Sequence, residues 1–387
     1  MYQRLCKPSK KNSFLLFGPR QTGKSTLLQQ WLGQDARLAI DLLEPQNERK
    51  YSARPELLAE EIATFKRGDW VVLDEIQKQP KLLDVVHRSI ETQGIRFALT
   101  GSSARKLRHG AANLLAGRAF EYRLYPLCRA ELGKDFKLET VLKFGGLPKL
   151  YSYDDDADKV RFLMAYAHTY LKEEIQVEQL VRKIEPFRLF LEVAAQASGK
   201  ILNFAKLGKQ ARVDGKAVER YFEILNDTFI GFYLNAYSGS VRAQQRQHPK
   251  FYFFDTGVMR AIDYSIEEPV RVGSYEFGRL FEHFFIHECI KLSNYLECRY
   301  RFAYLRTKDD AEIDLIIARP GKKTLVIEIK SADQVDQTEI NKLQRLAKDI
   351  PKAEAIIACR ESVARISNGV RILPWEKALT HIFGEIT

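Results

Sequence analysis

The sequence predicts an α/β protein of three domains: a parallel-sheet core, then a helical domain of winged-helix type, then a second α/β domain. Three observations support this fold class. In residues 1–150 short apolar runs alternate with helical patterns, in residues 151–240 helical periodicity dominates, and in residues 241–387 helices and strands alternate again. Since 387 residues exceed what one hydrophobic core organises, several domains are expected.

The strands of the first domain are predicted from apolar runs that end before turns or helical segments. The runs occupy residues 14–17, 38–40, 70–73, 97–99 and 120–124. Strands with so few polar residues are typical of a parallel sheet that helices cover on both faces. This pattern predicts a nucleotide-binding α/β core.

A glycine-rich loop follows the first of these strands and precedes a helix predicted over residues 26–32. It fits the pattern G-x-x-x-x-G-K-[ST]. With the first helical residue it forms the predicted ATP-binding set: Gly18, Pro19, Arg20, Gln21, Thr22, Gly23, Lys24, Ser25 and Thr26. The N–H groups of such a loop point at phosphates, Lys24 is expected to reach the β- and γ-phosphates, and Ser25 to bind Mg²⁺. ATP and Mg²⁺ are therefore the predicted cofactors.

Two carboxylates, Asp74 and Glu75, come directly after the strand predicted over residues 70–73. In P-loop enzymes an aspartate at this position holds Mg²⁺, and a glutamate beside it polarises the attacking water. We predict that Asp74 binds the metal and that Glu75 is the general base. The alternative interpretation is that the two residues only cap the strand.

Two further residues are predicted to act at the γ-phosphate. Ser102 follows the strand over residues 97–99 and is expected to hold the attacking water, although an N-cap at Ser102 or Ser103 explains the pattern equally well. Arg118 precedes the strand over residues 120–124, where a neighbouring subunit in a ring would use it as an arginine finger. A surface salt bridge is the competing interpretation of Arg118.

These motifs together resemble those of prokaryotic AAA-superfamily (AAA+) ATPases that carry a C-terminal domain of unknown function. The likeness rests on residues 18–25, 73–77, 99–103, 115–118, 125–127 and 145–148. It implies an AAA+ core in which Ser102 corresponds to the sensor and Arg118 to the arginine finger. It implies no settled cellular role.

The second domain contains a predicted helix-turn-helix. Residues 204–211 form an amphipathic segment, 213–215 a turn, and 216–225 a second helix that Asp214 is placed to cap. The apolar run over residues 229–234 and the basic loop over residues 238–250 complete a winged-helix pattern. Four cations are suited to DNA phosphates and bases: Lys209, Arg212, Lys216 and Arg220. A solvated face on a lid-like helical domain is the alternative.

Acidic residues in the third domain form a second candidate site. A helix is predicted over residues 278–293, strands over 313–318, 324–329 and 353–358, and a helix over 337–348. Asp314 and Glu328-x-Lys330 lie on adjacent strands, and Glu282 lies on the preceding helix. This set is similar to the restriction-endonuclease-like pattern Asp…Glu-x-Lys, which binds a divalent ion for phosphodiester hydrolysis. The pattern favours the fold over the activity, since such folds persist as binding modules, and an ion pair of Glu328 with Lys330 or Arg306 is the simpler alternative.

Charge and composition indicate which class of binding partner and which cellular compartment to expect. The net charge of +11 favours a polyanion, and DNA is the predicted partner of a homo-oligomer, for example a hexameric ring. The alternative function is a nucleotide-dependent switch that acts on protein partners without a nucleic-acid substrate. The five cysteines form no Cys-x-x-Cys pair, no apolar run approaches the roughly 20 residues of a membrane-spanning helix, and no secretion signal is evident. A cytoplasmic protein without membrane contact is therefore expected.

Overall fold

The computed structural model describes residues 2–103, 115, 117–170, 184–238 and 247–385. Contacts divide the chain into two compact units. The first comprises Met1–Leu127 with Leu225–Ile230, and the second comprises Cys128–Ile224 with Gly231–Thr387. These limits differ from the predicted boundaries at residues 150 and 240, and the division into three domains stays a prediction.

The first unit is built on a five-stranded parallel sheet in the order β2-β3-β4-β1-β5. All five strands were predicted from their apolar runs. Their side chains include many fully buried ones, for example Phe14, Val71 and Phe97, because helices cover the sheet. The strands are β1 (Ser13–Phe17), β2 (Ala36–Asp41), β3 (Trp70–Asp74), β4 (Arg96–Gly101) and β5 (Ala119–Arg123).

The strand order brings three sequence motifs to one edge of this sheet. Strand β4 lies between β1 and β3, with Phe17 opposite Gly101 and Leu73 opposite Leu99. Because the carboxyl ends of parallel strands meet at one edge, the segments that follow β1, β3 and β4 are neighbours.

The helices of this unit are α1 (Lys24–Leu32), α2 (Pro45–Ala53), α3 (Leu57–Glu61) and α4 (Leu82–Gln93).

The second unit contains an eight-stranded mixed sheet in the order β12-β13-β11-β10-β9-β8-β6-β7. Strand β9 is antiparallel to both β8 and β10, whereas β10, β11 and β13 are parallel, and β8 is parallel to β6. The strands are β6 (Gly231–Ala236), β7 (Lys250–Phe253), β8 (Arg301–Arg306), β9 (Glu312–Ala318), β10 (Thr324–Ile329), β11 (Ala353–Cys359), β12 (Arg365–Ser367) and β13 (Val370–Pro374).

The helices of the second unit precede, connect and cover these strands. Helix α13 is the crossover between the parallel strands β10 and β11. The helices are α5 (Arg129–Leu132), α6 (Leu138–Phe144), α7 (Asp156–Ala165), α8 (Ile184–Gln196), α9 (Phe204–Ala211), α10 (Gly215–Asp227), α11 (Thr256–Ile262), α12 (Tyr275–Tyr295), α13 (Gln337–Ala347) and α14 (Trp375–Phe383).

The predicted helix-turn-helix is present as α9 and α10. Asp214 caps the second helix as expected, since its carboxylate accepts a hydrogen bond of 2.8 Å from the Ala217 N–H. Strand β6, predicted as part of the winged helix, pairs with β8 of the eight-stranded sheet. Of the predicted wing, residues 239–246 lie outside the described residues, and the winged-helix fold stays a prediction.

No helix in the described ranges has both the length and the apolar content that crossing a membrane requires. Each of the five cysteines has a free thiol, and four of them are buried.

Candidate functional site

The glycine loop curls over the end of β1 because two glycines allow it. A Cβ atom on Gly18 would lie 2.2 Å from the Leu124 carbonyl oxygen, so no larger residue fits without a shift. Gly23 has a φ of 90°, which L side chains rarely adopt, and it starts helix α1. The buried Lys24 Nζ donates to the carbonyl oxygens of Gly18 at 3.0 Å and of Pro19 at 3.1 Å. The ammonium is thus held at the mouth of the loop.

The loop is braced by a residue that sequence reasoning missed. Arg4 donates from Nη1 to the Thr22 carbonyl oxygen and from Nη2 to the Tyr125 carbonyl oxygen, both at 2.6 Å. Thr22 in turn donates from Oγ1 to the Pro19 carbonyl oxygen at 2.9 Å. Arg4 lies before the first strand and carries no local motif, so no pattern in the sequence pointed to it.

Asp74 lies at the carboxyl end of β3 between two hydroxyl groups. Ser25 donates a hydrogen bond to Asp74 Oδ2, and Thr100 donates one to Asp74 Oδ1. Thr100 also accepts a hydrogen bond of 2.9 Å from the Glu75 backbone N–H. A serine hydroxyl beside an aspartate is the donor set that P-loop enzymes use for Mg²⁺, so these residues fit the predicted metal. The role of Thr100 was not predicted, although it stands within the motif that contains Ser102.

Glu75 is buried and faces the loop lysine. Its backbone has a φ of 59°, and its Oε1 lies 3.4 Å from Lys24 Nζ. Burial opposes ionisation, but Lys24, the hydrogen bonds from Gln77 and Ser102, and Arg20 outweigh it and lower the pKa of Glu75. The carboxylate is therefore ionised at neutral pH and able to accept a proton.

The hydroxyl of Ser102 donates to Glu75 Oε2 at 2.8 Å, and Gln77 Nε2 donates to Ser102 Oγ at 2.8 Å. All three side chains are buried. Ser102 therefore lies within the predicted site, where it orients the glutamate, and Gln77 is a further member that sequence reasoning did not assign. The alternative N-cap involves residues 104–114, which lie outside the described residues.

Arg118 lies at the opposite edge of the sheet from the glycine loop. It precedes Ala119, which pairs with Ser13 at the start of β1, whereas Phe17 at the end of β1 pairs with Arg123. Four residues of strand separate these edges by about 13 Å. Arg118 forms an ion pair with Glu91 of α4, as the competing interpretation expected. Within one chain it is thus separated from the phosphate-binding loop.

The predicted carboxylates of the second unit come together, but with cations among them. A cavity of about 380 Å³ is lined by Glu282, Asp314 and Lys330, among others. The pairing of Ile327 with Leu315 continues to bring Glu328 opposite Asp314. The predicted alternative, an ion pair between Glu328 and Lys330, is present at 3.0 Å, whereas Arg306 pairs with Asp310.

Asp314 has an unusual environment. Burial, together with the negative charges of Glu328 and Glu282, raises the pKa of Asp314 well above its ordinary value, against the effects of Lys250 and of the Ile329 backbone. Asp314 Oδ2 accepts a hydrogen bond of 2.8 Å from the Ile329 N–H. The group is thus biased towards its neutral form.

The carboxylates of this cluster do not form a metal site in the described ranges, where no group of three histidine, cysteine, aspartate or glutamate side chains is arranged to hold an ion. Glu282 accepts a hydrogen bond from the Tyr252 hydroxyl and lies beside Lys250. Glu328 lies beside Lys330 and Lys342. The metal that an endonuclease-like site implies is therefore not matched by the donor set.

The four cations of the helix-turn-helix are exposed. Lys209 lies near the end of α9, Arg212 follows that helix with a φ of 56°, and Lys216 and Arg220 lie one turn apart on α10. Among the described residues none of them forms an ion pair with a carboxylate. The predicted basic surface is present, while its use is a prediction.

Family models match three segments of the chain. Residues 10–133 match the model described as AAA domain. Residues 135–267 and 277–378 match two models of unknown function, DUF8612 and DUF4143 respectively. The last match agrees with the domain of unknown function that the resemblance implied.

Relatives of low identity match most of the chain. An uncharacterized protein from Mycobacterium tuberculosis is 25% identical over 311 residues, which cover 80% of this chain and 68% of the relative. An uncharacterized protein from Methanocaldococcus jannaschii is 21% identical over 363 residues, covering 87% of this chain and 79% of the relative.

Among solved structures, the ORC2 protein of Aeropyrum pernix in its ADPNP-ADP complexes is similar, with 11% identity and a TM-score of 0.35 over 66% of this chain and 88% of that one. Can2 from Sulfobacillus thermosulfidooxidans in complex with cyclic tetra-adenylate has 11% identity and a TM-score of 0.22 over 82% and 92%. Residues 10–133, which match the AAA domain model, contain the parallel sheet and the glycine loop of a P-loop ATPase core.

Proposed function

We propose that the chain is an ATP-hydrolysing AAA+ protein that works as an oligomer on DNA. The observation that carries the hydrolytic part is the convergence of Lys24, Ser25, Asp74 and Glu75 at one edge of the sheet. Lys24 and the N–H groups of the loop bind the phosphates, and Ser25 and Asp74 would hold Mg²⁺. When bound, the ion would supply positive charge that offsets the negative charge of the phosphates.

Glu75 is the general base of this mechanism. ATP phosphates compete with Glu75 for the Lys24 ammonium, so nucleotide binding releases a carboxylate that then accepts a proton from water. Ser102 and Gln77 keep that carboxylate oriented while Lys24 moves its hydrogen bonds from the loop carbonyls to the phosphates. Thr100 fixes both Asp74 and the Glu75 backbone, and therefore sets the distance between metal ligand and base.

Arg118 is proposed as the finger of a neighbouring subunit, because its own chain places it about 13 Å along the strands from the loop. Subunit mixing tests this. Lys24→Ala retains the finger and Arg118→Ala retains the ATP site, so each alone should be inactive while a mixture recovers activity. Full hydrolysis by assembled Arg118→Ala alone would remove the finger assignment.

The exposed cations around α9 and α10 support DNA as the partner. Each phosphate contact that is removed should weaken binding across all sequences and lower the slope of log affinity against log salt by about one. The variant with alanine at Lys209, Arg212, Lys216 and Arg220 is compared with Lys322→Ala/Lys323→Ala, an exposed basic pair in the β9–β10 turn. Equal affinities of the two variants would contradict the assignment of this surface.

The experiment that tests the whole proposal is Mg²⁺-dependent phosphate release by the purified protein, alone and with single-stranded, duplex or branched DNA. Lys24→Ala is the blank. Stimulation by one form of DNA would support the nucleic-acid function and identify its substrate. Steady hydrolysis that is indifferent to every DNA would favour a switch that acts on protein partners, and no hydrolysis above the blank would contradict the ATPase itself.

A further inference from the structure

A buried lysine lies where the carboxylates of the second unit converge. Lys250 of β7 is 2% exposed, and its Nζ lies 3.3 Å from Glu282 Oε1 and 2.5 Å from Glu312 Oε1. Lys250 and Tyr252 share one face of β7, and the Tyr252 hydroxyl donates to the same Glu282 oxygen at 2.7 Å. The sequence pattern had assigned Lys250 only to the end of a basic loop.

Neighbouring side chains stabilise the positive charge of Lys250 in place of water. Burial disfavours the ammonium, but Tyr252, Glu282, Asp314 and Glu312 outweigh this effect and raise the pKa of Lys250. A buried charge survives only if opposite charges and hydrogen bonds replace its lost hydration. Lys250 is therefore a cation enclosed by carboxylates from helix α12 and strand β9.

One carboxylate oxygen each of Glu328 and Asp314 is also engaged, whereas Glu328 Oε2 is buried without a hydrogen-bond partner among the described residues. Glu328 Oε1 lies 3.0 Å from Lys330 Nζ and 3.5 Å from Lys342 Nζ, and Asp314 Oδ2 accepts the Ile329 N–H. Mg²⁺ requires near-octahedral oxygen ligands at about 2.0–2.1 Å. To bind here, a divalent ion would have to displace ammonium groups that already compensate the carboxylates.

We propose that the Lys250 ammonium takes the place of a divalent cation in this cluster, so that Lys250 excludes metal from the endonuclease-like site. The carboxylates then serve to hold Lys250 and to shape the adjoining cavity, and they do not activate water for metal-assisted cleavage of phosphodiesters. This inference is independent of ATP hydrolysis, because every residue on which it rests belongs to the second unit.

Mn²⁺ binding to the full-length protein without nucleotide, followed by electron paramagnetic resonance, tests the proposal. Lys250→Met removes the charge at similar side-chain length and should gain about one bound Mn²⁺ per chain. Adding Asp314→Asn to that variant should remove the gain. Lys250→Arg, which keeps a cation in place, is the matched control and should gain none.

The wild-type protein provides a second comparison that does not depend on how well Lys250→Met folds. If Lys250 excludes metal, the cluster of the wild type holds no Mn²⁺, so Asp314→Asn alone should leave Mn²⁺ binding unchanged. Any Mn²⁺ bound at Ser25 and Asp74 is common to both proteins. The proposal is overturned if the wild type binds Mn²⁺ that Asp314→Asn abolishes. It is equally overturned if folded Lys250→Met binds no more Mn²⁺ than the wild type.

Discussion

Both units contain a buried lysine beside carboxylates, and the two lysines differ in what surrounds them. Lys24 donates to two neutral carbonyl oxygens and lies 3.4 Å from one carboxylate, that of Glu75. Lys250 lies among the carboxylates of Glu282 and Glu312, with Asp314 nearby. A neutral carbonyl is readily replaced by a phosphate, whereas two anions are not. An ion pair of a lysine is therefore exchangeable or permanent according to how much of the ammonium charge is already neutralised.

The acidic partners differ in the same way. Asp74 receives hydrogen bonds from the hydroxyls of Ser25 and Thr100, which leave its charge available to a cation. Glu328 lies beside the ammonium groups of Lys330 and Lys342, which cancel its charge. One site is thus suited to receive Mg²⁺, and the other is already compensated.

The largest expected effect follows from removing the exchangeable lysine. Lys24→Ala should abolish ATP binding and hydrolysis, because it removes the ammonium held at the mouth of the phosphate-binding loop. Isothermal titration with ATP and phosphate release measure this. Lys66→Ala, the same change at an exposed position of the first unit, is the control and should behave as wild type. Hydrolysis surviving in Lys24→Ala would mean that the two lysines do not differ as described.

A smaller effect is expected from neutralising the partner of Lys24. Glu75→Gln should retain ATP binding while kcat falls by about 10²- to 10⁴-fold, since the amide cannot accept the proton of water. Nucleotide affinity and single-turnover rates separate the two quantities. If affinity fell together with kcat, Glu75 would be a structural partner of Lys24, like the carboxylates around Lys250.

The hydroxyl beside Asp74 should have a moderate effect. Thr100→Val keeps the shape but removes both hydrogen bonds, so the Mg²⁺ concentration for half-maximal hydrolysis should rise by about tenfold. A Mg²⁺ titration of the hydrolysis rate measures the change. Thr92→Val, on the exposed face of α4, is the matched control. An unchanged Mg²⁺ requirement would show that Ser25 and Asp74 are positioned without Thr100.

The smallest effect is on stability, and it has opposite signs at the two sites. The raised pKa of Asp314 contributes stability below its unfolded pKa of about 4 that is lost as pH rises through the folded pKa. The lowered pKa of Glu75 contributes stability above its unfolded value that is lost as pH falls. The difference in Tm between Asp314→Asn and wild type should therefore become more positive from pH 5 to pH 8, as scanning calorimetry would show. A difference independent of pH would argue against the raised pKa.

Local patterns were sufficient for much of the fold. The five apolar runs of the first unit became β1 to β5, and residues 204–211, 324–329 and Asp214 have the predicted roles. Strands β7, β8, β12 and β13 were missed, since they are short or contain charged residues and are stabilised by their neighbours in the sheet. Periodicity reports burial of an element, but it does not report which element lies beside it.

The sequence by itself determined the glycine loop, the carboxylates after β3 and the acidic pattern of the second unit, because each lies within a few consecutive residues. Only the tertiary structure decided that Arg4 braces the loop, that Thr100 fixes Asp74, and that Lys250 lies among the distant carboxylates. Arg4 and Tyr125 are 121 residues apart, and Lys250 and Glu282 are 32 apart. Electrostatic interactions depend on distance in space, and in a folded chain the strand order sets that distance.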